Sequence, residues 1–567
     1  MITPVAELLR TMADLKGVPD LLEQLQQPGF FGDHDPLTEV IETHISWVFL
    51  TSRFAYKLKK PVRFGFLDFS TPDRRHRACV AELQVNRRLA PTTYLQVVPL
   101  TVVPSSAVGA DIRLMHSSVG PAVELDGRGP AIDWVVKMQR LPADRSLDYL
   151  LTHQGLTEAQ SHRLVRFLGD FYARQAPLSL NADRFLAQIR AHIDQNRTDL
   201  ETHLPEWQDT TLRVHAAQRL FTALAADVLA RRVIDGRIID GHGDLRPEHI
   251  YLMSPPVVID CIEFDAGLRQ NDIADELSFL AMECEQLNAG ELGERILSGY
   301  QQRSGDVIAH EVIAFFKSYR ACVRAKVCAL RCRQELEPRP ASPSSPAPPT
   351  PYRGPDPALA RRQAERYLET ARDLIRQFSP QVIVAITGLM GSGKTTLATA
   401  VAERLDCSRF GTDDVRHELH AAAAHPTTYG ADGYAMDQRL RIYDAVAGRA
   451  TAALDRHVCV VVDGTYNTHA MQETLCAASR ATGSEVLLVR CDCPPEIARN
   501  RVTRRLQLGN SNSAAQPEWL ERQAHEYEPS QFAHQLTVDA TASIEDQVHA
   551  VFAALSQLWS VHRHVPT

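Results

Sequence analysis

The sequence lacks the features that mark a secreted, membrane-spanning or disulfide-stabilised protein. The N-terminal stretch MITPVAELLRTMADLKG carries acidic residues and has no uninterrupted apolar core, unlike a secretory signal. No run approaches the ~20 apolar residues that a membrane helix requires. Eleven cysteines are scattered without a paired CxxC framework, which indicates buried reduced thiols. A metal site at Cys322, Cys328 and Cys332, or at Cys491 and Cys493, is the alternative. We therefore predict a cytoplasmic protein.

The chain also lacks an excess of positive charge. Lys and Arg number 61 against 69 Asp and Glu, which gives a net charge of −8. A general nucleic-acid-binding protein usually presents a basic face, so this balance argues against that class, although a local basic pocket for phosphates is compatible with it. With 44% hydrophobic and 23% charged residues, the composition is typical of a soluble globular protein. A length of 567 residues indicates more than one domain.

One segment has almost no large apolar side chains and divides the chain. It runs from Glu337 to Pro357 and reads EPRPASPSSPAPPTPYRGPDP. Its proline, serine and alanine content cannot form a core and predicts an extended, semi-rigid spacer. Recruitment of a proline-binding module is the functional alternative. We predict a first domain over residues 1–336, a linker over 337–357 and a second domain over 358–567.

The second domain contains the sequence VAITGLMGSGKTT. Gly388, Gly393, Lys394 and Thr395 satisfy the phosphate-loop spacing G-x-x-x-x-G-K-[ST], between an apolar strand pattern and a helix over 396–404. Glycines let backbone N–H groups turn inward around phosphate oxygens, the lysine reaches the β- and γ-phosphates, and the threonine hydroxyl ligates Mg²⁺. The motif predicts binding of ATP. The residues expected at the nucleotide are Gly388, Met390, Gly391, Ser392, Gly393, Lys394, Thr395 and Thr396.

Two acids follow the phosphate loop at positions that suit phosphoryl transfer. In FGTDDVRHEL, Asp413 and Arg416 lie three residues apart on a starting helix and share a face. We expect Asp413 to orient and deprotonate an acceptor hydroxyl, and Arg416 to bind the acceptor or the phosphoryl group. Capping of the helix by Thr412 or Asp413 is the alternative, and both roles can coexist. Asp463 ends the buried strand VCVVVD and is expected in the second sphere of Mg²⁺.

An arginine-rich helix is predicted over Pro495–Arg505, PEIARNRVTRR. Arg501 and Arg505 share one face, and they are expected to close over the transferring phosphoryl group, where charge develops. The alternative is an exposed basic helix neutralised by acidic residues further along the chain. The segment 381–559 resembles the small-molecule and polynucleotide kinase branch of the phosphate-loop fold. The other arginines of this helix are Arg499 and Arg504, and the acidic residues that would neutralise it in the alternative are Glu518, Glu521 and Glu526.

The first domain reads as a small β-rich lobe followed by a larger helical lobe, which is the order of an α+β kinase-like fold. The predicted strands and helices follow from apolar periodicity. Strands are predicted at 45–50, 54–58, 96–103, 112–115 and 134–138, a charged helix at 74–89, helices over 156–229, short strands near 249–253 and 257–261, and helices to 335.

Two motifs of this domain, GHGDLRPEHI and VVIDCIEFD, resemble those of the aminoglycoside phosphotransferase family. By that resemblance Asp244 would accept the proton of a substrate hydroxyl, and Asp260 would hold Mg²⁺ beside the phosphates. Lys57, in FAYK, looks like the phosphate-pairing lysine of the strand, and Glu82 like its ion-pair partner. A solvated strand end and an exposed helical glutamate are the alternatives for these two residues.

The first domain departs from that family in two places. His249 stands where the family has a metal-binding asparagine, and imidazole suits Zn²⁺ or Mn²⁺ better than Mg²⁺. The stretch 46–54 contains no glycine, so no glycine-rich loop precedes Lys57. Glu263 and Asp265 could replace the lost metal ligand, or could be solvated or paired. The domain is therefore expected to be a second kinase or an acceptor-binding relic.

The chain as a whole resembles bacterial two-domain proteins that join an aminoglycoside phosphotransferase-like domain to a phosphate-loop, AAA-type predicted kinase. This resemblance implies an ATP-dependent, Mg²⁺-requiring phosphotransferase that acts on a hydroxyl of a small molecule. An ATP-binding regulatory switch, with a degenerate first domain, belongs to a different class and stays open. A polynucleotide end kinase fits the C-terminal motifs but not the overall charge.

Overall fold

The computed structural model describes residues 18–32, 34–43, 45–64, 67–103, 122–336, 357–419, 436–508 and 516–562. The chain divides into two compact units. The first unit comprises Met1–Ser179, Gly236–Ile308 and Arg331–Ala360, and the second comprises Leu180–Asp235, Ala309–Leu330 and Arg361–Thr567. The second unit therefore includes two helical segments that the sequence placed in the first domain. The predicted boundaries stay a prediction, and both the linker over 337–356 and the predicted strand at 112–115 lie outside the described residues.

The strands have two to nine residues in the first unit and three to eight in the second. Those of the first unit are β1 (Leu37–Glu42), β2 (Ser46–Thr51), β3 (Phe54–Lys59), β4 (Arg63–Phe64), β5 (Leu67–Asp68), β6 (Tyr94–Val102), β7 (Val123–Leu125), β8 (Ala131–Gln139), β9 (Ile238–Asp240), β10 (Ile250–Tyr251), β11 (Val257–Val258) and β12 (Gln270–Asp272). Those of the second unit are β13 (Val382–Thr387), β14 (Arg409–Gly411), β15 (Cys459–Asp463), β16 (Glu485–Asp492) and β17 (His534–Asp539).

Helices account for most of the remaining described chain. In chain order they are α1 (Val18–Leu25), α2 (Pro72–Asn86), α3 (Leu147–Tyr149), α4 (Glu158–Ala173), α5 (Ala182–His203), α6 (Gln208–Leu224), α7 (Ala226–Ile234), α8 (Ile273–Gln286), α9 (Gly290–Ser304), α10 (His310–Leu336), α11 (Pro357–Asp373), α12 (Ile375–Phe378), α13 (Lys394–Leu405), α14 (Thr412–Leu419), α15 (Met436–Leu454), α16 (His469–Thr482), α17 (Pro495–Leu508), α18 (Trp519–His525) and α19 (Ile544–His562). Within the described ranges, no helix combines the length and the apolar character needed to cross a bilayer.

The first unit is built on an antiparallel sheet with the strand order β1-β2-β3-β8-β6-β7. Side chains of β3 alternate between its two faces. Tyr56 and Leu58 pack in one cluster with α1, whereas Ala55 packs in another with Cys79 of α2. Lys57 lies two residues beyond Ala55 and is therefore directed at α2. The sheet and its helix are the expected β-rich part, while the kinase-like assignment stays a prediction.

Helix α2 begins where the sequence provides a start signal. The Thr71 side chain accepts a hydrogen bond from the Arg74 backbone N–H, and Pro72 occupies the first helical turn, where a missing N–H has no cost. The helix then buries Cys79 and Glu82 against the sheet. A carboxylate in that position is stable only with a cationic partner, and the sheet supplies one.

The second unit contains a parallel sheet with the strand order β14-β15-β13-β16-β17 among its described residues. Strands β13 and β15 are buried at every position, as expected when helices cover both faces of a parallel sheet. Ile386 of β13 lies opposite Asp463 of β15. The carboxyl ends of these two strands therefore meet, and ligands of open α/β sheets bind at such an edge.

An aromatic cluster joins the helical segments of the second unit to the helices that flank its sheet. The rings of Phe221 and Phe315 stack at 4.4 Å between centroids, and Trp559 lies edge-on to Phe221 at 5.4 Å. The indole N–H of Trp559 donates to the carbonyl of Phe378 at 2.9 Å. Because these rings bury large apolar areas, residues 180–235 and 309–330 share a core with the parallel sheet.

Candidate active site

The phosphate loop follows β13 and has the backbone conformation that its glycines allow. Gly388, Gly391 and Gly393 have φ angles of 144°, 75° and 94°. A Cβ at Gly388 would lie 2.7 Å from the carbonyl oxygen of Cys491, and one at Gly391 would collide with the carbonyl oxygen of Ala498. Glycine is therefore required by both conformation and space, and the loop wraps a concave backbone surface at the start of α13.

The strand order places a carboxylate beside this loop. The Thr395 hydroxyl donates to Asp463 Oδ2 at 2.9 Å, because β15 neighbours β13 and ends level with it. Burial raises the pKa of Asp463, whereas the Arg409 guanidinium, which forms an ion pair with it, acts in the opposite direction. The sequence prediction that Thr395 and Asp463 belong together is matched by this contact, and Arg409 was not foreseen.

Lys394 starts α13 within the loop. Its ammonium donates a hydrogen bond to the carbonyl oxygen of Leu389 at 2.9 Å. This bond crosses the loop from its end to its beginning. Burial lowers the pKa of Lys394, while the nearby carboxylate of Asp413 acts in the opposite direction. A lysine held in this way is positioned to exchange a carbonyl oxygen for a phosphate oxygen.

The loop opens into a cavity of about 230 Å³. Asp413 and Arg416, which form an ion pair on α14, lie in its wall as the spacing of three residues predicted. Ser392 lies just beneath, almost fully buried. The cavity is lined by Met390, Gly391, Gly393, Lys394, Thr395, Thr396, Thr412, Asp413, Arg416, Arg439, Tyr443, Asp463, Thr465, Arg501, Arg505 and Gln523.

The arginines of α17 divide into two groups. Arg501 and Arg505 line the cavity, and Arg501 also donates to the carbonyl oxygen of Ala540 at 3.0 Å. Arg499 is exposed and forms an ion pair with Glu521 at 3.0 Å instead. Arg504 is exposed too. The structure therefore brings Arg501 and Arg505, the two arginines predicted to share a face, to the phosphate loop.

Four of the residues that line the cavity carried no sequence signal. Arg439 and Tyr443 lie on α15, Thr465 follows β15, and Gln523 lies on α18. The Gln523 side-chain oxygen accepts a hydrogen bond from the Met390 backbone N–H at 2.8 Å, so α18 is attached directly to the phosphate loop. No motif marks these positions, because they come together only through the packing of three separate elements.

In the first unit, the predicted lysine and glutamate are in contact. Lys57 Nζ lies 2.9 Å from Glu82 Oε1 and 2.6 Å from Asp260 Oδ1. Burial alone would lower the pKa of Lys57, but Asp260 and Glu82 raise it well above its usual value. The sequence suggested this trio by resemblance, and the alternative of a solvated strand end does not hold, since the Lys57 side chain is buried.

A second buried lysine was not foreseen. Lys59, on the same face of β3, is fully buried and lies 2.7 Å from Glu82 Oε2. It also forms an ion pair with Glu263. Of the alternatives given for Glu263, a replacement metal ligand or a solvated or paired acid, the structure shows the paired acid. Glu82 therefore serves two lysines through its two oxygens.

The remaining predicted residues of the first unit lie around Arg246. Arg246 Nη2 lies 2.9 Å from Asp244 Oδ2 and 3.2 Å from His249 Nε2. The other ring nitrogen of His249 contacts the carbonyl oxygen of Asp244 at 2.8 Å, and Nε2 lies 3.6 Å from Asp260 Oδ2. Asp265 accepts from the Gly267 N–H at 2.7 Å. In the described parts of the chain, no three His, Cys, Asp or Glu side chains are grouped to hold a metal ion.

Cysteines likewise form no cluster of ligands. All eleven are free thiols, and most are buried, as the scattered spacing indicated. Cys322 and Cys328 are buried on α10, and burial raises the pKa of the Cys322 thiol to about 12. A thiol that resists deprotonation is a poor metal ligand, so the alternative of a metal site at these residues gains no support.

Comparison with known proteins agrees with the geometry of the second unit. Residues 383–530 match a family model described as an AAA domain. Uncharacterized proteins of Mycobacterium tuberculosis and Mycobacterium bovis are 28% identical over 489 residues, which is 85% of this chain and 89% of theirs.

Solved structures similar to this chain cover about one third of it. A sugar kinase of a Janibacter species is 18% identical over 32% of this chain and 98% of that structure, with a TM-score of 0.26. A gluconokinase of Sinorhizobium meliloti is 17% identical over 32% and 97%, with a TM-score of 0.25. The family match, the loop and the parallel sheet together give the second unit a phosphate-loop α/β fold, while the likeness of the first unit to aminoglycoside phosphotransferases stays a prediction.

Proposed function

We propose that the chain is an ATP-dependent, Mg²⁺-requiring phosphotransferase, and that its second unit transfers the γ-phosphoryl group to a hydroxyl of a small molecule. One observation carries the proposal. A phosphate loop, a carboxylate beside its threonine, a second carboxylate and two arginines line a single cavity. Phosphoryl transfer requires these parts and little covalent chemistry from the protein.

The residues of the loop suit a bound triphosphate. Ser392 Oγ is buried and finds no hydrogen-bond partner among the described residues, so a phosphate oxygen would satisfy it. Thr395 and Asp463 offer the oxygen atoms that Mg²⁺ prefers, and they would hold the ion directly or through water. When bound, Mg²⁺ neutralises charge on the β- and γ-phosphate oxygens.

The transfer follows from the positions of the acidic and basic side chains. The acceptor oxygen forms a bond to the γ-phosphorus while the bond from that phosphorus to the β–γ bridging oxygen breaks, and ADP leaves. The proton of the hydroxyl passes to the Asp413 carboxylate, which Arg416 orients by their ion pair. Lys394, Arg501 and Arg505 stabilise the charge that develops on the transferred group.

A radiolabel experiment tests the proposal. Purified protein with Mg²⁺ and [γ-³²P]ATP is incubated with a bacterial metabolite extract, and labelled products are counted. We expect acceptor-dependent transfer by the wild-type chain and none by Lys394→Ala. Asp413→Asn should lower the rate by about 10²–10⁴-fold, as expected for loss of a general base. Asp437→Asn, which alters an exposed aspartate on α15, is the matched control and should leave the rate unchanged.

The result that would contradict the proposal is equally specific. Label transfer that survives in Lys394→Ala would remove the second unit from the chemistry. If Asp244→Ala then abolished the transfer, the reaction would belong to the first unit. Tight ATP binding without transfer to any component of the extract would show a nucleotide-dependent switch instead.

For the first unit we propose that it binds a nucleotide. Regulation by the bound nucleotide, rather than a second phosphoryl transfer, is the second candidate function of the chain. The specific observation is that the predicted catalytic acid and the predicted Mg²⁺ ligand already have cationic partners: Asp244 pairs with Arg246, and Asp260 pairs with Lys57. A nucleotide must displace Lys57 from Asp260 before that carboxylate can hold Mg²⁺. With His249 in contact with Arg246 and Asp244, binding without turnover is the simpler expectation.

A further inference from the structure

The wall of the cavity carries a buried arginine that the proposed transfer does not use. Arg439 lies on α15, lines the same cavity as the phosphate loop, and has a side chain that is only 6% exposed. The desolvation cost of burying a guanidinium is high unless the group is ion-paired and its N–H donors are hydrogen-bonded. The partners of Arg439 therefore show what the fold maintains at this position.

The contacts of the Arg439 guanidinium include two polar side chains and the Met471 sulfur, which lies 3.9 Å from Nη2. Its Nη1 lies 3.0 Å from Glu526 Oε2, and its Nη2 donates to Asn467 Oδ1 at 3.3 Å. The Asn467 amide in turn donates to Glu526 and to the carbonyl oxygen of Gln523. Residues at the end of α18 and in the segment before α16 thus fix the planar group at the cavity wall, which is how a site holds an arginine that binds a carboxylate or phosphate.

Arg439 is separate in sequence from the cationic side chains that the proposed transfer uses. Among the described lining residues, Lys394, Arg501 and Arg505 lie on the phosphate loop or on α17 and serve the triphosphate in the proposed transfer. Arg416 forms an ion pair with Asp413. Arg439 is on a different helix, in the wall that also presents the Tyr443 and Thr465 side chains. The hydroxyl of Tyr443 contacts the Thr465 hydroxyl at 2.6 Å, so this wall offers polar groups beside the cation.

We propose that the acceptor is a small alcohol that also carries a carboxylate or phosphate group, and that Arg439 recognises this group. The proposal rests on the proposed phosphotransferase function and adds the chemical class of its acceptor. The anionic group binds the guanidinium while the hydroxyl lies at Asp413. Discrimination against a neutral analogue then arises because the analogue cannot make a charge-assisted hydrogen bond with the guanidinium.

The test separates candidate acceptors by their charge, so that a mixture of unidentified metabolites can serve as the substrate. A bacterial metabolite extract is ultrafiltered to remove polymers and passed through an anion-exchange resin at neutral pH. The flow-through and the salt eluate are each assayed for label transfer from [γ-³²P]ATP. We expect the acceptor activity in the eluate and its loss in Lys394→Ala.

Variants of Arg439 test the recognising residue in the same assay. Arg439→Gln should raise the amount of eluate needed for half-maximal rate by about 10- to 100-fold, as expected for loss of a charge-assisted hydrogen bond, and should leave KM for ATP unchanged. Arg439→Lys keeps the charge but not the planar fork, so its increase should be smaller. Arg441→Gln, an exposed arginine two residues along α15, is the matched control.

Each other outcome has a definite meaning. Activity in the flow-through, or only in the retained polymers, overturns the anionic small-molecule acceptor while the phosphotransferase stands. Activity in the eluate with the same half-maximal amount for Arg439→Gln and Arg441→Gln overturns the assignment of Arg439. If Arg439→Gln has a lower melting temperature than wild type, the Arg439→Lys variant decides between lost recognition and lost stability. A half-maximal amount of eluate between those of wild type and Arg439→Gln supports recognition of the anion by Arg439. Absence of transfer in every fraction removes the phosphotransferase and this inference together.

Discussion

Gly391 shows how strongly the nucleotide site depends on the absence of a side chain. Its φ of 75° is in the left-handed region, and the loop at this point approaches the backbone of α17 so closely that a Cβ would collide with the Ala498 carbonyl oxygen. The neighbouring Met390 packs in a cluster with Val502 and Trp519. The loop is therefore shaped by contacts on its outer side as well as by the phosphates expected on its inner side.

We expect Gly391→Ala to weaken ATP binding by tenfold or more. The left-handed conformation costs a residue with a Cβ about 1–2 kcal/mol, and the collision with Ala498 adds to that cost by displacing the loop. Gly448→Ala on α15 is the control, because a Cβ at Gly448 meets nothing within 4 Å. Equilibrium dialysis with labelled ATP measures both. Equal affinities for the two variants would contradict the structural role given to Gly391.

At the residue scale, motifs with a fixed spacing could be predicted and isolated residues could not. The loop residues and Asp463 follow from strand, turn and helix patterns that are local in sequence. Lys57, Glu82 and Asp260 needed a family resemblance, because 203 positions separate the lysine from the aspartate. Arg439 lies in the first turn of α15, and only its packing against the cavity reveals it.

The helix α17 is the element on which transfer is expected to depend most directly. It approaches the phosphate loop, so that two of its arginines line the cavity while two others remain at the surface. Arginine suits this position because its charge persists at all working pH values and its planar fork matches phosphate oxygens. The same helix therefore offers both a test residue and a control.

We expect Arg505→Gln to lower kcat by about 10²–10³-fold, which is typical of removing one donor from a charge-stabilising site. Arg504→Gln, next to it in sequence but exposed, should keep kcat close to that of wild type. Steady-state rates with the eluate acceptor and saturating ATP provide the comparison. Similar losses in the two variants would indicate a general effect of helix charge rather than contact with the phosphoryl group.

The contact between α2 and β3 is held by charges inside the first unit. Burial raises the pKa of Glu82, but Lys57 and Lys59 lower this pKa by more than burial raises it, so that the net shift is downward. A carboxylate with a lowered pKa in the folded state stabilises the fold above its unfolded pKa near 4.3, and this contribution is lost as pH falls through the folded value. The contact between α2 and β3 is therefore expected to lose stability in acid.

We expect Glu82→Gln to destabilise α2 by about 3 kcal/mol at pH 7, because removing one partner leaves buried charge uncompensated. The difference from wild type should shrink as pH falls below about 4.3. Hydrogen exchange of the α2 amides measures the local effect directly. Glu42→Gln, which removes a partly exposed ion pair with Lys60 at 2.5 Å, should change stability by less than about 1 kcal/mol. A pH-independent difference for Glu82→Gln would contradict the charge argument.

Long elements could be predicted from periodicity, whereas several of the short ones could not. Strands β13 and β15 are continuous apolar runs, so burial on both faces marks them clearly. Strand β1 alternates exposed and half-buried positions at the sheet edge, and β9 and β12 have three residues each. Three residues do not complete enough of a two-residue period to distinguish a strand from a loop.

The whole molecule joins two proposed nucleotide sites in one chain. We expect two ATP molecules per chain in the presence of Mg²⁺, one in Lys394→Ala, one in Lys57→Met and none in the double variant. Equilibrium dialysis at saturating nucleotide gives the stoichiometry, and Lys317→Met, a lysine of α10 outside both sites, is the control. A stoichiometry of zero in Lys394→Ala would show that the first unit binds no nucleotide.

Domain organisation at this scale was the least accessible property of the sequence. The proline-rich segment suggested one division of the chain, but residues 180–235 and 309–330 group with the parallel sheet. They do so through rings such as Phe221 and Phe315, which pack with Phe378 and Trp559. Apolar residues on a helix show that it packs, without showing which of two cores receives it.

Glu82 has a further consequence because its two oxygens are divided between two lysines. When a phosphate attracts Lys57, the glutamate is not abandoned in the interior, since Lys59 still neutralises it from the other side. The contact between Lys59 and Glu82, which joins β3 to α2, would therefore stay in place during the proposed exchange of partners by Lys57. Under the proposed nucleotide-binding role, the first unit would keep one lysine to hold the structure and another to meet the ligand.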